Sequence, residues 1–168
     1  MFFVEQVLIR GLHVLAASFW LGAAIVMAGF LAPAARAVGA PGSVFMRHLN
    51  GKARLPLVTN MAALITILTG VWLLWRASSG LQVEWFGTSY GLTLSIGVVA
   101  ALAAYGVSMF VQRPAMQRIA IAQSATEQPD QKARAELAGA QFRLTLGGRI
   151  GAVLLAVSAV CMAVARYV

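Results

Sequence analysis

The chain has 168 residues, 60% of them hydrophobic and 11% charged, with a formal net charge of +8 at pH 7. So few charges cannot clothe a water-soluble core of this length, and the composition places the protein in a membrane. A single cysteine, Cys161, excludes an intrachain disulfide.

The first apolar stretch runs from about Gly11 to Ala32 without a charge. It has the roughly 20 residues a helix needs to cross about 30 Å of hydrocarbon. Its end, Ala-Pro-Ala-Ala-Arg-Ala, faintly resembles a signal-peptidase site. The run is too long for a signal h-region and follows Glu5 and Arg10 rather than a basic cluster, so a retained helix is expected. In the connection that follows, Pro33, Gly39, Pro41 and Gly42 are expected to break the chain, and Pro56 suits the first turn of the next helix.

The second span is expected at about 57–75, and Trp72, Trp75, Trp85, Phe86 and Tyr90 cluster around the connection after it as an interfacial aromatic belt. The third span covers about 91–112. Residues 113–146 are rich in Ala, Gln, Arg and Glu, good helix formers, with a turn at Gln128-Pro129-Asp130. They predict a cytoplasmic helical hairpin that extends the third and fourth helices, with a bend at Pro114. The fourth span is expected at about 147–166. Its Gly148, Ala152, Ala156, Ala159 and Ala163 form a small-residue stripe, and Ala100, Ala104 and Ser108 form another on the third helix.

Backbone groups must be paired within lipid, so the spans are helices. The expected fold is all-α: one integral membrane domain over residues 1–168, a four-helix bundle with its hairpin. Ten of the thirteen Lys and Arg residues fall in the first and third connections or at Arg149. The positive-inside rule puts those connections in the cytoplasm and both termini outside, in a bacterial inner membrane. Orientation and anionic lipid account for the charge, and nucleic acid is not an expected partner.

This topology brings His13, Thr69, Thr93, Ser95, Cys161 and Met162 to one depth near the outer surface. His13, Ala17, Trp20 and Ala24 share a helix face, with alanines leaving space beside the imidazole for a flat cofactor or another helix. An ionisable residue inside a membrane is a functional candidate, and neutral imidazole is a common metal ligand. The alternative is a histidine hydrogen-bonded to a threonine or a carbonyl. His48 lies at the opposite face and cannot share one metal with His13 in a monomer. Arg54, Asn60 and Arg149 gather at the cytoplasmic end, where arginine would hold a propionate, a quinone oxygen or a lipid phosphate, or snorkel to headgroups. No carboxylate falls within a span, and nucleotide loops and hydrolase elbows are absent.

The segment His13-Val-Leu-Ala-Ala-Ser-Phe-Trp20-Leu-Gly22 resembles the first helix of a superfamily of small membrane proteins that includes HemJ-type protoporphyrinogen oxidases and copper-resistance protein D domains. Lys52-Ala-Arg54-Leu-Pro-Leu-Val-Thr59, leading to Thr69-Gly70, is similar to the corresponding HemJ-type stretch. The resemblance covers the first half of the chain. It implies a four-helix core with a b-type haem and His13 as an axial ligand. The chain departs from the oxidase pattern in lacking a lysine near Ser89 to Thr93 and a histidine near Ala32 to Arg36, which weighs against porphyrinogen oxidation, the third reading. The outer loops have no Met or His cluster suited to copper transport.

Two readings stand. In one the protein is a haem-binding redox protein, with His13 on the iron, Met162 or a second copy's His13 as the other ligand, and Trp20 and Arg54 around the cofactor. In the other it is a cofactor-free subunit that packs in a larger membrane complex or a homo-oligomer.

Overall fold

The computed structural model describes residues 2–124 and 130–168. The first rod begins as α1, Phe2–Val26, passes through a π-helical turn at Met27–Leu31 and continues as α2, Ala32–Val38. Pro33 therefore does not break the chain, contrary to expectation. A proline ring clashes with the carbonyl four residues back and offers no N–H. The wider turn ahead of it shifts the pairing, so that the Ala32 N–H donates to the Met27 carbonyl, and the helix continues. The rod ends at Gly39, whose φ of 75° and ψ of −127° are open to glycine alone.

A helix that the sequence reading did not anticipate follows: α3, Ala40–Asn50, with Pro41 in its first turn. Pro41 and Gly42 thus lie inside a helix. Gly42 is required by proximity, since a Cβ there would overlap the Ala35 carbonyl.

Arg54, in the left-handed region at φ 51°, starts α4, Leu55–Ala77, with Pro56 in the first turn. The buried Ser78 closes it. Its hydroxyl donates to the Leu74 carbonyl at 2.8 Å and accepts from the Leu81 N–H at 2.9 Å. A short α5, Val83–Phe86, stacks Trp85 edge-on against Phe86 and Tyr90. Thr88 then caps α6, Ser89–Val107, by accepting from the Gly91 N–H.

The third rod repeats the device of the first. A second π-helical turn, Ser108–Gln112, precedes Pro114, and α7, Arg113–Ser124, continues beyond it. Of the expected turn at Gln128-Pro129-Asp130, only Asp130 is among the described residues. It caps α8, Gln131–Val164, by accepting from the Ala133 N–H at 2.7 Å. At 34 residues α8 is about 51 Å long, far more than about 30 Å of hydrocarbon requires. Its first half therefore projects beyond the membrane, packed along α7.

Among the described residues, four helices are long and apolar enough to cross a membrane: Val4–Val38, Leu55–Ala77, Ser89–Ala122 and Gln131–Tyr167. Each contains one of the expected spans. α1 packs along α4, α8 packs along α6, and α1 meets α8, whereas α4 and α6 touch little. At mid-depth Trp20 fills the centre, packed with Ala62, Ala63, Ala104 and Leu155, its ring edge-on to Tyr105 at 6.3 Å. At the hairpin end Arg36 donates to the Thr145 hydroxyl at 2.6 Å, and Gln112 donates to the Gly147 carbonyl at 3.2 Å.

The buried stripe of α8 is Gly147, Gly151, Leu155 and Ser158, one position from the expected one. Ala159 and Ala163 are exposed. Gly97 of α6 faces this stripe, where an added Cβ would lie 3.2 Å from the Cys161 Cβ and 3.3 Å from the Ser158 carbonyl oxygen. Gly106, on the same helix, has nothing within 4 Å of such a Cβ. Gly97→Leu should therefore cost about 1–3 kcal/mol through overpacking. Gly106→Leu should leave the midpoint of unfolding in an SDS titration, followed by circular dichroism, unchanged or raised.

Candidate functional site

The only polar side chain from the middle of α1 that turns into the bundle is His13, 8% exposed, one turn above Ala16 and two above Trp20 on the same face. That face is set by helical spacing, and α4 lies against it because its own residues there are small: Ala62, Ala63, Thr66 and Gly70. A Cβ at Gly70 would come within 3.0 Å of the imidazole Cε1, so the glycine is what lets the ring lie on the second helix. The space beside the imidazole on this side is taken by α4.

The hydrogen bonds show that Nδ1 carries a hydrogen. His13 Nδ1 lies 3.0 Å from the Thr66 carbonyl oxygen and 3.0 Å from Thr69 Oγ1. A carbonyl oxygen only accepts, so Nδ1 carries the hydrogen and donates. Thr69 spends its own hydroxyl hydrogen on the Ile65 carbonyl at 2.6 Å, leaving its lone pairs for the imidazole. Thr66 likewise donates to the Ala62 carbonyl at 2.8 Å. A neutral ring in this tautomer has its lone pair on Nε2. That atom makes no hydrogen bond among the described residues and is not sealed from the surface.

Met162 shares this depth. A Cβ at Gly148 would lie 3.6 Å from the Ala28 Cβ, which fixes the register of the antiparallel first and fourth rods. Fifteen residues onward along each, His13 is level with Ala163, beside Met162. In the lateral direction Met162 packs toward α6, its Cγ 3.5 Å from a Cβ at Gly97, while His13 lies between α1 and α4. Thr93 and Ser95 turn their hydroxyls to carbonyls of their own helix, Ser89 and Gly91.

The structure does not bring Arg54 to His13. It is exposed at the start of α4, fifteen residues and about 22 Å from Thr69. Arg149 is exposed and Asn60 half-buried at the same end, and no hydrogen bond joins the three. His48 is exposed on α3. No three of His, Cys, Asp and Glu come together among the described residues as a bare metal ion would require. The carbonyl partner of His13 was not legible beforehand. A backbone acceptor has no sequence signature, although a histidine–threonine contact was one of the alternatives.

The His13–Thr69 pair should behave as an interhelical pin. In a double-mutant cycle of His13→Leu and Thr69→Val, measured by the same SDS titration, the coupling should be about 0.6 kcal/mol and at most about 1.7 kcal/mol, the average and the maximum for polar contacts between membrane helices. Independent, additive losses would mean that the two side chains do not meet.

No curated protein and no solved structure matches the chain. One family profile does, from residue 7 to residue 166 and thus over nearly the whole length. The four apolar helices agree with that family's description, and the protein belongs to the family of predicted integral membrane proteins designated DUF2269.

Proposed function

We propose that the protein is a small membrane cytochrome in which His13 holds a b-type haem through Nε2. The observation that carries this reading is the tautomer. Ligating histidines commonly donate their other ring N–H to a carbonyl or a similar acceptor, which orients the ring and leaves the opposite lone pair for the metal. His13 makes that bond to the Thr66 carbonyl, with Thr69 as a second acceptor, and Nε2 is unengaged. The resemblance of His13 to Gly22 to the first helix of HemJ-type and copper-resistance D proteins supports the same assignment. Met162, at the same depth on α8 but packed toward α6 against Gly97, would have to swing across the bundle to serve as the second ligand. A second copy's His13 is the other way to complete the pair. Trp20, two turns along the same face and buried, would border the cofactor on its inner side. Arg54 takes no part. Bound haem would supply one-electron chemistry, its potential set by the axial ligands and by burial.

In this reading the protein lies in a bacterial inner membrane with both termini outside. The connections that carry most of the Lys and Arg residues lie at the hairpin end of the bundle.

Two observations favour a second reading, a cofactor-free subunit of a larger complex or a homo-oligomer. His13 already has an interhelical role against Gly70, and the hairpin end leaves Phe110 and Phe142 exposed for a partner. A reduced-minus-oxidised visible spectrum of the detergent-purified protein, expressed with ample haem, separates the two. The cytochrome reading expects the sharp α-band of a b-type haem, abolished in His13→Ala and altered in Met162→Ala. A colourless wild-type protein would sink it and favour the subunit.

A further inference from the structure

At the face that holds the chain termini, the start of α1 and the end of α4 enclose an open cleft of about 500 Å³, lined by Glu5, Leu68, Val71, Trp72, Trp75 and Arg76. Its volume falls in the ~300–1,000 Å³ range of small-molecule sites. It is separate from the His13 site, whose partners lie on another face of α4.

Three features describe what would fit. First, the cleft holds one carboxylate and one guanidinium that form no ion pair with each other, so both keep their hydrogen-bonding capacity. Second, the Arg76 guanidinium rests over the Trp72 ring, 5.7 Å from its centroid, which restrains its direction and covers that aromatic face. Third, polarity is graded along the membrane normal. From Arg76 the lining descends eight residues, about 12 Å, to Leu68, which with Val71 is exposed where lipid tails would lie. Tryptophans at this level are typical of the headgroup region.

We propose that the cleft binds one phospholipid whose headgroup carries both a phosphate and a primary ammonium, as phosphatidylethanolamine does. Arg76 takes the phosphate, for which the planar guanidinium fork is suited. Glu5 accepts from the ammonium in a charge-assisted hydrogen bond. Leu68 and Val71 floor the beginning of an acyl chain. A choline headgroup has no N–H for Glu5 and finds the Trp72 face already occupied. A glycerol headgroup brings no cation at all. A soluble zwitterion leaves the apolar floor unused.

The test is native mass spectrometry of the full-length protein, delipidated in detergent and offered equimolar phosphatidylethanolamine, phosphatidylcholine and phosphatidylglycerol with identical acyl chains. The expected result is about tenfold more ethanolamine adduct than either competitor, the factor that about 1.4 kcal/mol supplies. Glu5→Gln should lower that adduct to the choline level. Arg76→Gln should reduce all three, and Arg54→Gln, at the opposite face, should change nothing. Circular dichroism confirms that each variant is folded. Equal adducts on the wild type, or a preference that survives Glu5→Gln, would overturn the proposal. Displacement of the lipid by an equal concentration of phosphoethanolamine would assign the cleft to a soluble zwitterion instead.

Discussion

Inside hydrocarbon no water is available to pair a backbone N–H or carbonyl, and every other feature of this molecule is arranged around that constraint. It leaves helices as the only form for the spans and makes each proline within them a local problem. The problem is solved in the same way twice: a five-residue π-helical turn stands immediately before the segment that holds Pro33, and another before Pro114. Each absorbs the missing donor without ending the rod. Direction is instead reversed where glycine permits it, at Gly39 and Gly80, both with positive φ. The long first and third rods, and with them the projecting hairpin, depend on those two turns.

Continuous rods must then meet, and apolar attraction alone does not drive helix association in lipid. Close backbone approach does, and that needs small side chains. Gly97, Gly147 and Gly151 make the seam between the third rod and α8, and Ala62, Ala63 and Gly70 make the seam between α4 and α1. Because α4 and α6 touch little, Trp20 from α1 occupies the centre that a tighter bundle would fill with backbone, reaching Tyr105 on the third rod. The bundle is thus two close-packed helix pairs joined through α1, α8 and one large aromatic ring.

His13 sits one layer outward from that ring, where the same rule of satisfied polar groups operates on a side chain. Burying imidazole in an apolar seam is costly unless its N–H is accepted. The seam meets the requirement with a main-chain carbonyl, which is available because α4 presents Thr66 and Gly70 at this level. Threonine hydroxyls that donate back to their own helix reinforce this. They satisfy themselves and still offer a lone pair across the interface. Structure and candidate chemistry share one geometry here, because the bond that pins α1 to α4 also sets which imidazole nitrogen is left unengaged.

Composition, hydropathy and helix-forming residues determined the four apolar helices, the hairpin extension and the inward position of His13 and Trp20. These are properties of single segments and of 3.6-residue periodicity, which read directly from a chain. The tertiary structure decided what depends on two segments at once. The π-helical turns that carry the rods past Pro33 and Pro114 were invisible because proline signals a break at the one and a bend at the other, and only the surrounding helix can show how its missing donor is absorbed. Helix α3 was missed because its Pro41 and Gly42 read as punctuation, while its packing against Ala35 needs a glycine for contact rather than for a turn. The buried stripe of α8 was displaced by one residue because neighbours, not composition, choose between adjacent small-residue faces. At the site, the residue types were legible and their grouping by depth followed from topology. The acceptor of the His13 N–H, and the lateral separation of His13 from Met162, came from the rotation of each helix about its own axis. Hydropathy does not encode that angle in a helix that is apolar on every side.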